Sequence, residues 1–104
     1  MHKALLVVRA VVAEADRRDF DRWYHAEHLP DAVKAFAVSR AWRGWSRSDP
    51  SLHYACYQFA DVAAAEAAVA SPAIRTLIAE FDVHWGTRVA RAREIIEVAD
   101  EIGG

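Results

Sequence analysis

The run Lys3–Val12, KALLVVRAVV, constrains the fold of this chain more than any other stretch. Its length and its β-branched and aliphatic content predict a strand. Successive side chains of a strand point to opposite faces. Leu5, Val7 and Val11 therefore share one face, and Leu6, Val8 and Val12 the other. A strand apolar on both sides belongs to a sheet that is covered on both sides. The chain's own helices can supply one cover. The second cover has to come from elsewhere, because the chain is short.

At 104 residues the chain is a single domain, residues 1–104. A chain of this size buries only roughly two-thirds of its unfolded surface by itself. Hydrophobic residues nonetheless make up 54% of it. A second burial surface is expected, and a second copy of the chain, forming a homodimer, is the simplest one. The alternative is a monomer whose open sheet face is only moderately apolar. Charge is nearly balanced, with 13 Lys+Arg against 15 Asp+Glu. No dense basic cluster exists to grip nucleic acid. No apolar run approaches the ~20 residues of a membrane-spanning helix, and the first is too short for a signal peptide. Neither nucleic acid nor membrane is an expected partner. The single cysteine, Cys56, cannot close an internal disulfide, so a reducing, cytoplasmic setting is expected.

The remaining elements follow from punctuation and period. Asp16 is a candidate N-cap for a helix that starts at Arg17 and runs through Phe20, Trp23 and Tyr24. Pro30 lacks an N–H and clashes with the preceding turn, so a kink or break is expected near His28–Leu29. A second helical piece is expected over Asp31 to Phe36. Val38 to Ser48 reads as a second strand, in which strict alternation sends Trp42 and Trp45 to opposite faces unless a bulge at Gly44 resets the phase. The turn residues Ser48 to Ser51 join it to a third strand, Leu52 to Ala60. Asp61 caps the next helix, and Ser71-Pro72 restarts it. Ile74, Leu77, Ile78 and Phe81 then mark one buried face. Gly86 ends that helix, a last strand covers Arg88 to Val98, and the tail frays. The order β-α-β-β-α-β is the ferredoxin-like α+β arrangement, a four-stranded antiparallel sheet with both helical segments on one face. Two such sheets stacked face to face about a two-fold axis would form a dimeric α/β barrel.

The densest chemistry is WYHAEHLP, Trp23 to Pro30. At about 100° per residue, Phe20, Trp23, Tyr24, Glu27, His28 and Asp31 fall in one broad stripe. Buried charges are costly unless paired, so a stripe mixing aromatics with ionisable groups either lines a pocket or holds a polar network. In the first case His28 is a proton-transfer residue, since histidine titrates near neutrality. Tyr24 would orient a substrate, and Asp31 or Glu27 would fix the imidazole. In the second case His28 closes the helix end, its ring bonded to a carbonyl freed by Pro30. Trp23 and Trp42 could wall a pocket, although tryptophans on a strand also serve as core or interface. His84 and Trp85 could form its rim. Arg40, Arg43, Arg88, Arg91 and Arg93 read as rim or strand-face charges, and Arg9 as a charge reaching a partner or an anion. No metal is expected: His25 and His28 could bridge one, but HAEH is not the zincin spacing and two ligands on one helix make no site. Cys56 reads as an inert buried thiol.

The stretch FDRWYHAEHLPDAV, Phe20 to Val33, resembles the EthD-like branch of the dimeric α/β-barrel superfamily. That branch shows a Phe, an aromatic pair, and an acidic-His-Leu/Ile-Pro run, which here are Phe20, Trp23-Tyr24 and Glu27-His28-Leu29-Pro30. The later FDVHWGTRVARAREIIEV, Phe81 to Val98, resembles the family's last helix-to-strand crossover. One departure concerns the segment before the second strand, where family members often carry Pro-Gly-Phe and this chain has KAFAVSRAW. The resemblance implies a small apolar pocket between helices and sheet, with Tyr24 and His28 at the motif's aromatic and His positions. The EthD-like branch is associated with ether degradation. The wider superfamily includes cofactor-free monooxygenases, polyketide cyclases, lactone isomerases and haem-handling proteins.

Three functional expectations follow. The first is a cofactor-independent enzyme acting on an aromatic or polyketide-like small molecule, with His28, Tyr24 and Asp31 catalytic. Phe20, Trp23, Glu27, Trp42 and His84 would contact its ligand. The second is a ligand-binding accessory protein to an oxidoreductase. The third is a haem binder using His28 or His84.

Overall fold

The computed structural model describes residues 2–103. Four strands, β1 (Ala4–Val11), β2 (Ala41–Trp45), β3 (Leu52–Phe59) and β4 (Ala90–Glu97), form one sheet in the order β2-β3-β1-β4. Every neighbouring pair is antiparallel. The helices are α1 (Arg17–Trp23), α2 (Leu29–Phe36), α3 (Val62–Val69) and α4 (Pro72–His84). This is the ferredoxin-like α+β fold that the element order requires. β1 is central, paired to β3 and β4, so its residues at even positions are the most deeply covered. Ala4, Leu6 and Ala10 are fully buried against the helices. Leu5 and Val7, on the other face, are only half-buried.

The strands differ from their sequence expectation mainly in length. β2 is five residues rather than the eleven of Val38 to Ser48. It pairs with β3 without interruption, Trp42 opposite Cys56 and Trp45 opposite His53. Gly44 therefore makes no bulge. Trp45 faces the helices and Trp42 the open side.

The first helical segment departs more instructively. It is not broken at Pro30. Between α1 and α2 the chain makes a π turn, Tyr24–His28, in which the Leu29 N–H reaches back to the Tyr24 carbonyl. A proline in a regular α-helix drives its ring against the carbonyl four residues earlier. Opening the preceding turn by one residue lets Pro30 stand in the first turn of α2 while the helix continues. The extra residue also shifts the phase of everything beyond it by about 100°.

Of the three expected helix caps, only one forms. Asp61 holds the start of α3, accepting from the Ala64 N–H at 2.8 Å. Asp16 does not cap α1. Its backbone is already helical, and its carboxylate takes Arg88 at 3.2 Å. Ser71 precedes Pro72 as expected, but its hydroxyl donates back to the Ala68 carbonyl instead of capping α4. Val38 follows Ala37, which stands in the left-handed region at φ 54° where α2 ends. No single helix among the described residues is long and apolar enough to cross a membrane.

Candidate functional site

A cavity of about 270 Å³ lies between the helices and the inner face of the sheet. Its apolar walls come from Leu6 and Val8 on β1, Ala32 and Phe36 on α2, and Ile74, Leu77, Ile78 and Phe81 on α4. Five polar side chains reach it: Tyr24, His28, Tyr57, Arg91 and Arg93. A largely apolar hollow with a few convergent polar groups is what a small-molecule site needs.

The π turn is what places Tyr24 and His28 there. The two tyrosine hydroxyls, Tyr24 and Tyr57, stand 3.3 Å apart across the gap between helix and β3. Burial holds the Tyr24 phenol neutral, its pKa pushed up to about 12, against the smaller opposing effects of Tyr57 and Arg43. The Tyr57 pKa is raised as well, first by burial and then by Tyr24. His28 stacks on Trp23, centroids 4.7 Å apart and 21° between planes, with Tyr24 and Phe81 edge-on at 4.8 and 5.7 Å. Its Nδ1 is buried without a hydrogen-bond partner. Burial lowers its pKa to about 4, helped by the positive charge of Arg91 and by His84 and opposed by Asp31. The ring is therefore neutral at physiological pH.

On the sheet side, Arg91 lies over the Phe81 ring, 3.8 Å from its centroid, and pairs with Asp82 at 3.1 Å. Arg93 is one step further along the same face of β4, opposite Val8 of β1, and no carboxylate among the described residues pairs with it.

Behind the cavity sits a second polar assembly. Asp21 accepts from Arg43 Nη1 and from Trp45 Nε1, each at 2.8 Å. Those two bonds, Trp45's first, hold its carboxyl below the usual range. Arg43 Nη1 also lies 3.2 Å from His53 Nε2. A guanidinium only donates, so Nε2 accepts and the neutral His53 ring carries its proton on Nδ1. His53 is buried, and burial followed by Arg43 lowers its pKa to about 4. Phe20 is the hub of this layer, with six aromatic rings at centroid distances of 5.2–6.2 Å.

Only part of the sequence-derived site is assembled at the cavity. Tyr24 and His28 line it. Phe20 and Trp23 are buried one layer behind. Glu27 and Asp31 are exposed, and neither hydrogen-bonds the imidazole, because the phase shift of the π turn takes both off the stripe. Nor does the His28 ring bond a carbonyl freed by Pro30. Trp42 is on the opposite face of the sheet. His84 is exposed at the end of α4, beside Trp23 at 5.0 Å, its Nδ1 2.9 Å from the Glu80 carbonyl oxygen. Tyr57, Arg91 and Arg93 were not singled out as site residues from the sequence. Alternation along RAREIIEV and LHYACYQFA carried the signal, since Arg91 and Arg93 share a face with Ile95 and Tyr57 with His53.

No family model and no curated protein matches the chain. Solved structures do. The chain shares its fold with an EthD family protein. That protein is from Bacillus halodurans and superposes with a TM-score of 0.68 over 98% of this chain and 100% of its own, at 14% identity. SnoaB, a cofactor-independent oxygenase from Streptomyces nogalater, matches as a point mutant at 0.69 over 98% of each chain, also at 14% identity. A candidate antibiotic biosynthesis monooxygenase from Nitrosomonas europaea matches at 0.67 and 17% identity, over 98% of this chain and 95% of its own. The fold implied by the sequence resemblance is thus met.

Proposed function

We propose that this chain is a homodimeric, cofactor-independent enzyme that removes a proton from an aromatic or polyketide-like small molecule held in the cavity. The observation that carries this reading is the neutral, unpartnered imidazole of His28 facing an otherwise apolar hollow beside two phenols and two guanidinium groups. His28 accepts the proton. Tyr24 and Tyr57 orient a substrate oxygen as hydrogen-bond donors, since both phenols stay protonated. The resulting enolate or phenolate is stabilised by the positive side of the cavity. It is also what raises the imidazole's basicity when needed, because an adjacent anion favours the charged ring. Such an anion is the shared intermediate of oxygenation by dioxygen, isomerisation and cyclisation. The likeness to SnoaB favours the first of these by fold analogy alone.

The homodimer is supported by the outer sheet face, where Val11, Trp42, Tyr54 and Ile96 stay exposed on the single chain. Cys56 is half-buried on that face, and burial raises its thiol pKa, which keeps it in the unreactive form.

A second reading is a ligand-binding accessory protein, favoured by the absence, among the described residues, of any carboxylate bonded to His28. A general base is commonly oriented by such a partner. The experiment is a thermal-shift screen of wild type and His28→Ala against phenols, quinones, lactones and haem, followed by turnover assays under air with each stabilising compound. The proposal expects a stabilising compound that wild type converts and the folded variant does not. Its kcat/KM should have an acid limb near pH 4 rather than 6.5. Stabilisation without turnover in either protein establishes the accessory reading. A Soret band after haem addition to wild type only, with no other binder, establishes haem handling.

A further inference from the structure

The cavity's charge is one-sided. Its lining carries two guanidinium groups and no carboxylate. Arg91 is anchored, clamped between the Phe81 face and Asp82. Its planar fork is thereby held in one place. Arg93 has no such tether among the described residues. The two are separated by one residue on β4 and so project from the same face of the sheet. A single guanidinium at a pocket is unremarkable when a carboxylate neutralises it. Two that share one mostly apolar hollow, with only one of them paired, leave an uncompensated positive charge. Arg93 is exposed and keeps its hydration, and an incoming anion meets there a guanidinium for which no carboxylate of the lining competes. The same imbalance acts on His28, which Arg91 further discourages from taking a proton.

We infer that the cavity selects ligands that already carry a negative charge, a carboxylate on an aromatic body, and that Arg93 and Arg91 hold that charge. This deepens the proposed function by naming the charge class of its substrate, and it rests on that reading of the cavity. The apolar walls of α4 and β1 take the ring system. The guanidinium fork takes the anionic oxygens, a geometry suited to bidentate pairing with a carboxylate. Arg93 is a specificity-determining residue here, and Arg91 fixes the second edge of the anion site.

The test uses 2-naphthoate and its neutral isostere 2-naphthamide, titrated calorimetrically into wild type, Arg93→Gln and Arg93→Lys. The expected result is binding of naphthoate tighter than naphthamide by roughly tenfold or more. That preference should collapse in Arg93→Gln, with naphthamide affinity unchanged, and return in part in Arg93→Lys. Arg91→Gln should lower it as well. Should that variant not fold, the wild-type and Arg93 comparisons decide alone. Equal binding of the two probes by wild type overturns the charge selectivity and leaves the cavity as a ligand site. Binding of neither overturns both. A preference that survives undiminished in Arg93→Gln and Arg91→Gln overturns the assignment to these arginines.

Discussion

The two faces of the sheet obey different rules. The inner face meets helices and is sealed by size: Leu6 is 1% exposed, Tyr57 2% and Phe20, which packs on this face, 0%. Its enclosed polar groups, His28, His53 and the two tyrosines, are neutral, and its charges, Arg43, Arg91 and Arg93, stand toward its margins. The outer face carries comparable apolar bulk but leaves it in water, with Trp42 at 42% and Tyr54 at 37%. Its polar residues include Arg9, Gln58 and Glu94. The inner face is therefore a finished core with a chemical pocket let into it. The outer face, with Val11, Trp42, Tyr54 and Ile96 exposed together, is the surface on which the proposed homodimer would form.

The sharpest way to break the contrast is Phe20→Ala, which empties the centre of the inner aromatic layer. It should cost about 3–5 kcal/mol. The check is the urea midpoint, and a loss under about 1 kcal/mol would show that the layer collapses freely around the gap. The next largest effect is acidification. His28 and His53 have folded pKa values of about 4, below the ordinary histidine value of 6.5. The unfolded chain therefore binds more protons between those limits. The stability they contribute is complete above pH 6.5 and is lost as pH falls toward 4, at up to about 1.4 kcal/mol per unit for each ring. The groups facing them are Arg91, His84 and Asp31 for His28, and Arg43 and Asp21 for His53. From pH 7 to 5.5 the denaturation midpoint should drop while the light-scattering mass stays that of the proposed dimer, since none of the described residues on the outer face of the strands is a histidine. His28→Phe should flatten the slope. A flat profile in wild type would mean that both rings are solvated.

Trp42→Asp probes the outer face alone. Trp42 stands on the edge strand β2, and a charge in place of its large apolar side chain should weaken the proposed association by about 1–2 kcal/mol. The variant should elute as a monomer at micromolar concentration, with its far-ultraviolet dichroism intact and its cavity still binding the probe. A wild-type chain already monomeric at high concentration would remove the interface reading.

How much of this was legible in the sequence depends on whether the signal was local. Strand order, the hairpin and the two-faced β1 followed from alternation and turn chemistry, which act over a few residues. Tyr24 and His28 were found because a mixed polar–aromatic stripe is itself unusual. Asp31 and Glu27 were misplaced because a helical wheel assumes one period throughout. The π turn that admits Pro30 changes that period between Tyr24 and His28. Trp42 was assigned to the pocket on residue type, although alternation against Trp45 already separated the two faces. Tyr57, Arg91 and Arg93 reach the cavity by strand pairing with β1 across 51 residues or more, and spacing along the chain does not encode that.

The smallest expected effect belongs to neither face. Ala37 closes α2 at φ 54°, in the left-handed region that penalises a Cβ. Its N–H still reaches the Val33 and Lys34 carbonyls, the usual pairing of a helix end. Glycine there would relieve the strain, at about 1 kcal/mol. It would also loosen the unfolded chain, which offsets about 0.4–1 kcal/mol of that gain. Ala37→Gly should therefore leave stability unchanged or raise it by no more than about 0.5 kcal/mol. Bulkier β-branched Ala37→Val should lower it by at least about 1 kcal/mol, since the added branch worsens the same clash. Both variants should leave dimer mass and probe affinity untouched. If Ala37→Val instead changes probe affinity, then the end of α2, through Phe36 next to it, is part of the cavity wall in energy as well as in position.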